Sequence, residues 1–151
     1  MTTKDCMQLK DFLTEQGYTK VKLKLLKTNH FEMKATINGV KGRFILDTGA
    51  SNTLVNETSV DHFNLTTQES DVKVTGAGAS NMDSKVSKRN SLAIGKWKTE
   101  RTIIVLFNLS HVNKGLTSLD VEPVDGIIGT DILKKAKAII DYEKKYLYLK
   151  L

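Results

Sequence analysis

Apolar and polar residues alternate with a period of two along much of the chain. Val21, Leu23 and Leu25 alternate with Lys20, Lys22 and Lys24, and Phe31, Met33, Ala35 and Ile37 alternate with Glu32, Lys34 and Thr36. This is the pattern of strands that bury one face. Asn38-Gly39 follows, a pair that accepts the positive φ angles of a two-residue hairpin turn. A returning strand is therefore expected from Val40 to Leu46, running into Asp47-Thr48-Gly49. Further strands are expected at Thr53–Val55, Asp71–Thr75, Leu92–Ile94, Thr102–Phe107 and Val124–Ile128. A last hairpin is expected from Ala138–Tyr142 and Tyr146–Leu151, turning at Glu143-Lys144-Lys145.

Helical spacing is confined to short stretches. Cys6, Leu9, Phe12 and Leu13 share one face between Asp5 and Gln16, and Gly17 is a natural stop, so a short amphipathic helix is expected outside the main sheet. Asn56 is expected to cap a brief helix carrying Val60 and Phe63, and Thr130 another over Ile132 to Ala136. Gly76-Ala77-Gly78-Ala79-Ser80 reads as a small-residue turn, and Asn108 to Val121 as a mobile loop. Trp97, just after Gly95-Lys96, reads as a packing residue at a hairpin. Strands outnumber helices, so the class is mainly β with two or three short helices.

The 151 residues suit a single domain, large enough to fold without a disulfide or metal. Cys6 is the one cysteine, which excludes an internal disulfide framework and a multi-cysteine zinc site. No run approaches the roughly 20 apolar residues of a membrane-spanning helix. The opening MTTKDCMQLKDFLTEQ has charges where a signal peptide needs an apolar segment, so a cytoplasmic location is expected. Lys and Arg total 23 against 17 acidic residues, a net +6. The lysines are scattered along strands, where they read as solvated faces, so nucleic acid is not the expected partner.

Chemistry concentrates at Phe44-Ile45-Leu46-Asp47-Thr48-Gly49-Ala50-Ser51, where an apolar strand delivers a carboxylate into a turn of small residues. By itself this is equally an Asx-type turn at a strand end. About 80 residues later stands Gly126-Ile127-Ile128-Gly129. The pair, in this order, resembles one copy of the retropepsin-like aspartic proteases, and the closing Ile140-Asp141-Tyr142 hairpin is more similar to bacterial single-domain members than to retroviral ones. The resemblance spans roughly Phe31 to Leu151. It implies a retropepsin-like closed β-barrel half (the acid protease fold), with an N-terminal helix and strand extension at 1–27 and the protease domain at 28–151.

The resemblance also implies a mechanism. Asp47 would be the catalytic carboxylate, with Thr48 and Gly49 supporting its loop. Ala50, Ser51, Gly76, Ala77 and Gly78 would contact substrate, the last three from a flap. Hydrolysis by this route needs two carboxylates, one taking a proton from water and one giving a proton to the scissile carbonyl. The chain has one Asp-Thr-Gly, and Asp125 and Asp131 do not stand in a matching loop. A homodimer supplying Asp47 twice is therefore implied, acting on polypeptide in extended conformation and needing no cofactor. Retroviral members commonly carry an acidic residue where Ser51 stands and an arginine where Thr130 stands, and both are replaced here. A noncatalytic dimeric peptide-binding module on the same fold is the alternative.

The remaining candidates are weaker. His30, His62 and His111 lack the spacing of a metal site, and Ser51, Ser80 and Ser110 have no identifiable His and Asp partners.

Overall fold

The computed structural model describes residues 6–76 and 79–151. Its first elements are helix α1 (Leu9–Glu15) and strands β1 (Tyr18–Lys22) and β2 (Lys24–Leu25). Next come β3 (Phe31–Ile37), β4 (Val40–Leu46), β5 (Leu54–Asn56), β6 (Gln68–Gly76), β7 (Ala79–Ile94) and β8 (Trp97–Phe107). Helix α2 (Ser110–Thr117), β9 (Gly126–Ile128), helix α3 (Thr130–Lys135), β10 (Ile139–Asp141) and β11 (Tyr146–Lys150) complete the chain.

The β3–β4 hairpin forms where the period-two pattern placed it. Asn38 and Gly39 turn at φ 51° and 82°, and β3 pairs with β4 in unbroken register from Ile37↔Val40 to Phe31↔Leu46. Strand β4 then takes β9 as a parallel neighbour, Phe44 opposite Gly126 and Leu46 opposite Ile128. From there the ladder runs through β5, β8 and β7, and β7 returns to β3 through Thr36↔Ala93 and Ile37↔Leu92. Six strands thus close into a barrel, as the resemblance implies. Strands β2 and β6 extend the sheet beyond the barrel.

A second sheet joins the chain's two ends in the order β1-β11-β10, with Tyr18 opposite Lys150 and Lys22 opposite Tyr146. Leu23, just past β1, is buried in the same apolar cluster as Leu147, Leu149 and the barrel residues Phe44, Ile37 and Leu92. Burying a side chain of this size stabilises by about 1.5–3 kcal/mol. Two glycines make room in this core, one for an aromatic ring and one for a neighbouring strand. A Cβ at Gly42 would lie 2.5 Å from the Phe63 ring, and one at Gly126 2.2 Å from the Leu54 carbonyl. A second cluster, with Ile45, Leu54, Val105 and Ile127, lies beneath α2 through Leu116.

Several sequence expectations are corrected. Residues 108–121 are not a loop throughout: Ser110–Thr117 is helical, held by Leu116 in the core and by Asn113, whose side chain bonds both the N–H and the C=O of Val124. Asn56 precedes a 3-10 turn (Glu57–Ser59) but makes no cap; its side-chain oxygen accepts from the Leu109 N–H instead. Thr130 is the first residue of α3, not its cap. In α1 only Leu13 is buried; Leu9 and Phe12 are about half exposed. Strands β7 and β8 run well beyond the expected segments. No helix among the described residues is long and apolar enough to cross a membrane.

Candidate active site

Asp47 follows directly on β4. Its N–H donates to the Ile128 carbonyl of β9 at 3.0 Å, so the parallel β4–β9 ladder fixes where the carboxylate emerges. Its Oδ1 accepts from the Gly49 N–H at 2.8 Å, and the Ala50 N–H returns to the Asp47 carbonyl at 3.3 Å. The Asx-type turn and the apolar strand running into glycine, both read from the sequence, are parts of one structure. Asp47 is partly buried, Thr48, Gly49 and Ser51 are exposed, and Ala50 is fully buried.

The far side of the loop is fastened to α3. The Ala50 carbonyl accepts from the Thr130 N–H at 2.8 Å and from its hydroxyl at 3.2 Å. Thr53, fully buried, donates through its N–H to Asp131 Oδ2 at 3.0 Å and through its hydroxyl to Oδ1 at 2.8 Å. The same hydroxyl accepts from the Gly129 N–H at 3.1 Å. Gly129 must be glycine, because a Cβ there would come within 2.6–2.8 Å of the Asn52 and Ala50 carbonyls. Buried polar groups satisfied in this way make a loop rigid rather than costly.

Sequence reasoning missed Thr53 and the structural use of Asp131. The available signal was an acidic residue in the first turn of α3, beside a strand entered through a threonine. The second acidic residue near the motif is also a brace: Asp125 accepts from the Arg43 N–H at 2.9 Å, with Ser59 at 3.5 Å from its other oxygen.

A cavity of about 400 Å³ opens beside Asp47. Its apolar wall comes from Ile45, Ile127, Val112 and Leu116, with His30 and His111 also lining it. Helix α2, not expected from the sequence, supplies part of this wall. His30 bonds the Thr28 hydroxyl at 2.8 Å, while His62 packs edge-on against Phe63, away from this cavity. Thr48 borders a separate hollow of about 250 Å³ with Thr130, Leu133 and Ile140. Gly76 ends β6 and pairs with Ala79 of β7; Ala77 and Gly78 lie outside the described residues.

A closed six-stranded barrel that presents an Asp-Thr-Gly loop against an Ile-Ile-Gly strand defines a retropepsin-like fold. The structure resembles a retropepsin-like aspartic protease from Rickettsia conorii with a TM-score of 0.59, 21% identity, and coverage of 88% of this chain and 89% of that one. It also resembles the EIAV protease complexed with the inhibitor HBY-793, with a TM-score of 0.50, 14% identity, and coverage of 73% and 90%. The family model described as aspartyl protease matches residues 33–132, and the chain belongs to that family. No curated protein matches it.

Proposed function

We propose that the protein is a homodimeric aspartic endopeptidase in which each protomer contributes Asp47. The observation that carries this reading is the exposed Asp47-Thr48-Gly49 turn, clamped between β9 and α3 and opening onto an apolar cavity. Asp125 and Asp131 are both committed to main-chain partners, so the second carboxylate is assigned to a second copy of Asp47.

In this reading one Asp47 takes a proton from water as the water oxygen bonds to the scissile carbonyl carbon. The other, protonated, gives its proton to the carbonyl oxygen. On collapse of the tetrahedral species the C–N bond breaks, the carboxylate takes a proton from one hydroxyl as the C=O forms, and the departing amine takes up the proton of the other carboxyl, which restores the pair. Thr48 bonds across the dimer, and Gly49 and Ser51 line the path of an extended substrate, while Ala50, expected from the sequence to contact substrate, is buried and braces the loop instead. Gly76, Ala77 and Gly78 are assigned to substrate contact. Residues 28–151 are assigned as the protease domain, with 1–27 as an extension docked through β1 onto β11. The bacterial, cytoplasmic assignment belongs to the same proposal.

The test compares wild type with Asp47→Asn on an unfolded polypeptide mixture, from mildly acidic to neutral pH. Cleavage is expected from wild type alone, with folding and self-association kept in the variant. Equal cleavage by Asp47→Asn would overturn the reading. Thr48→Ala is expected to weaken self-association in sedimentation, and an unchanged dimer would remove the role given to Thr48. A dimer that binds but never cleaves polypeptide would favour the noncatalytic peptide-binding module.

A further inference from the structure

A second concavity, of about 690 Å³, lies where β1 passes into β2, and it shares no lining residue with the Asp47 cavity. Its floor is apolar, formed by Val21, Leu23, Leu25 and Met33. Its rim carries four exposed lysines: Lys22, Lys24, Lys34 and Lys145. The acidic residue lining it is Glu32, buried opposite Lys24 and ion-paired with Arg43. The rim therefore presents four ammonium groups with no free counter-charge of its own.

Two further features shape what would fit. Leu25 is 45% exposed although it belongs to a strand, so an apolar side chain is left uncovered beside the lysines. Strands β1 and β2 are each the outermost strand of their sheet, which leaves each with a main-chain edge not paired to another strand among the described residues. Such an edge accepts an extended chain, and alternate side chains of that chain then fall on one face.

We propose that this groove binds an extended polypeptide segment in which acidic and apolar residues alternate. Its carboxylates meet Lys22, Lys24, Lys34 and Lys145, its apolar side chains cover Leu25 and the partly buried Val21, and its backbone adds to the free edge. A purely acidic ligand would leave the apolar floor wet, and a purely apolar one would desolvate the ammonium groups without a partner. The site is independent of cleavage at Asp47.

Binding is measured by fluorescence anisotropy on the full chain carrying Asp47→Asn, which keeps the probe intact. The probe is a labelled eight-residue peptide of alternating Leu and Glu. Lys24→Glu combined with Lys34→Glu is expected to weaken binding at least about tenfold without changing Tm, and raising NaCl from 50 to 500 mM to weaken it at least about fivefold. Leu25→Ser is expected to weaken binding as well. If the double charge reversal lowers Tm, Lys24→Ala with Lys34→Ala takes its place and is expected to weaken binding at least about threefold. Equal binding by the lysine variants, or equal binding of a Leu-Lys peptide, would overturn the proposal. So would no binding of the Leu-Glu peptide, and so would oleate binding in its place, which would make the occupant an acyl chain.

Discussion

The Thr53 hydroxyl donates to the Asp131 carboxylate at 2.8 Å and accepts from the Gly129 N–H at 3.1 Å. One buried side chain thereby joins the exit of the Asp47 loop to the start of α3. Asp131→Ala would leave the Thr53 N–H and hydroxyl without their acceptor. A buried group so orphaned costs about 1–3 kcal/mol, which for a chain of this length lowers Tm by about 3–10 °C. Asp131→Asn keeps an acceptor and is expected to lose less. Thermal unfolding of the two variants side by side checks the order.

Gly126 faces a harder constraint, because the atom it would strike is main chain. A Cβ there would sit 2.2 Å from the Leu54 carbonyl oxygen, where β9 pairs with β5. Gly126→Ala must push β5 and β9 apart and is expected to cost more than about 3 kcal/mol, the upper end of overpacking penalties. Gly42→Ala meets the Phe63 and Phe44 rings, side chains rather than main chain, and is expected to cost less. Urea unfolding of both variants gives the comparison.

The hairpin at Asn38-Gly39 and the paired Asp-Thr-Gly and Ile-Ile-Gly segments were legible because local pattern and tertiary role coincide there. Helix α2 was not legible. Its eight residues SHVNKGLT contain a glycine, so the helical spacing of Leu109, Val112 and Leu116, which pack in one cluster, is too brief a signal, and the bonds from Asn113 to Val124 help to hold it. In α1 the periodicity was real, yet it overstated burial, since spacing shows which residues share a face and not what covers it. Asn56 was a sound cap by residue type, but a partner distant in the chain, Leu109, took its oxygen.

Thr102 on β8 carries the one buried side-chain polar atom without a hydrogen-bond partner among the described residues, its Oγ1. Replacing it by an apolar group of the same shape removes a desolvated hydroxyl and opens no cavity. Thr102→Val is expected to raise Tm by about 1–4 °C. A fall in Tm would mean that the hydroxyl is satisfied.

Tyr148 on β11 sets an alkaline limit. Burial raises its phenol above the ordinary value of 10.0, and the nearby negative charge of Asp141, Tyr146 and Asp11 adds to the effect. The folded protein therefore keeps this proton at a pH where the unfolded chain has lost it, so stability falls as pH climbs past about 10. Below that pH both states hold the proton and the group is neutral to stability. Tyr148→Phe is expected to flatten the decline in urea midpoint between about pH 9.5 and 11, and an unchanged slope would assign the decline to other groups.

Strand β7 belongs to two structures at once. Its outer half pairs with β6, while its inner end closes the barrel against β3 by two residue pairs. Between the two halves the pairing with β8 slips at Ser87–Asn90, where the Asn90 amide grips the Ser87 carbonyl at 3.0 Å and Arg89 turns to φ 62°. The strand therefore changes its partner at this irregularity, so that one unbroken run of backbone serves both the hairpin and a two-pair seam of the barrel.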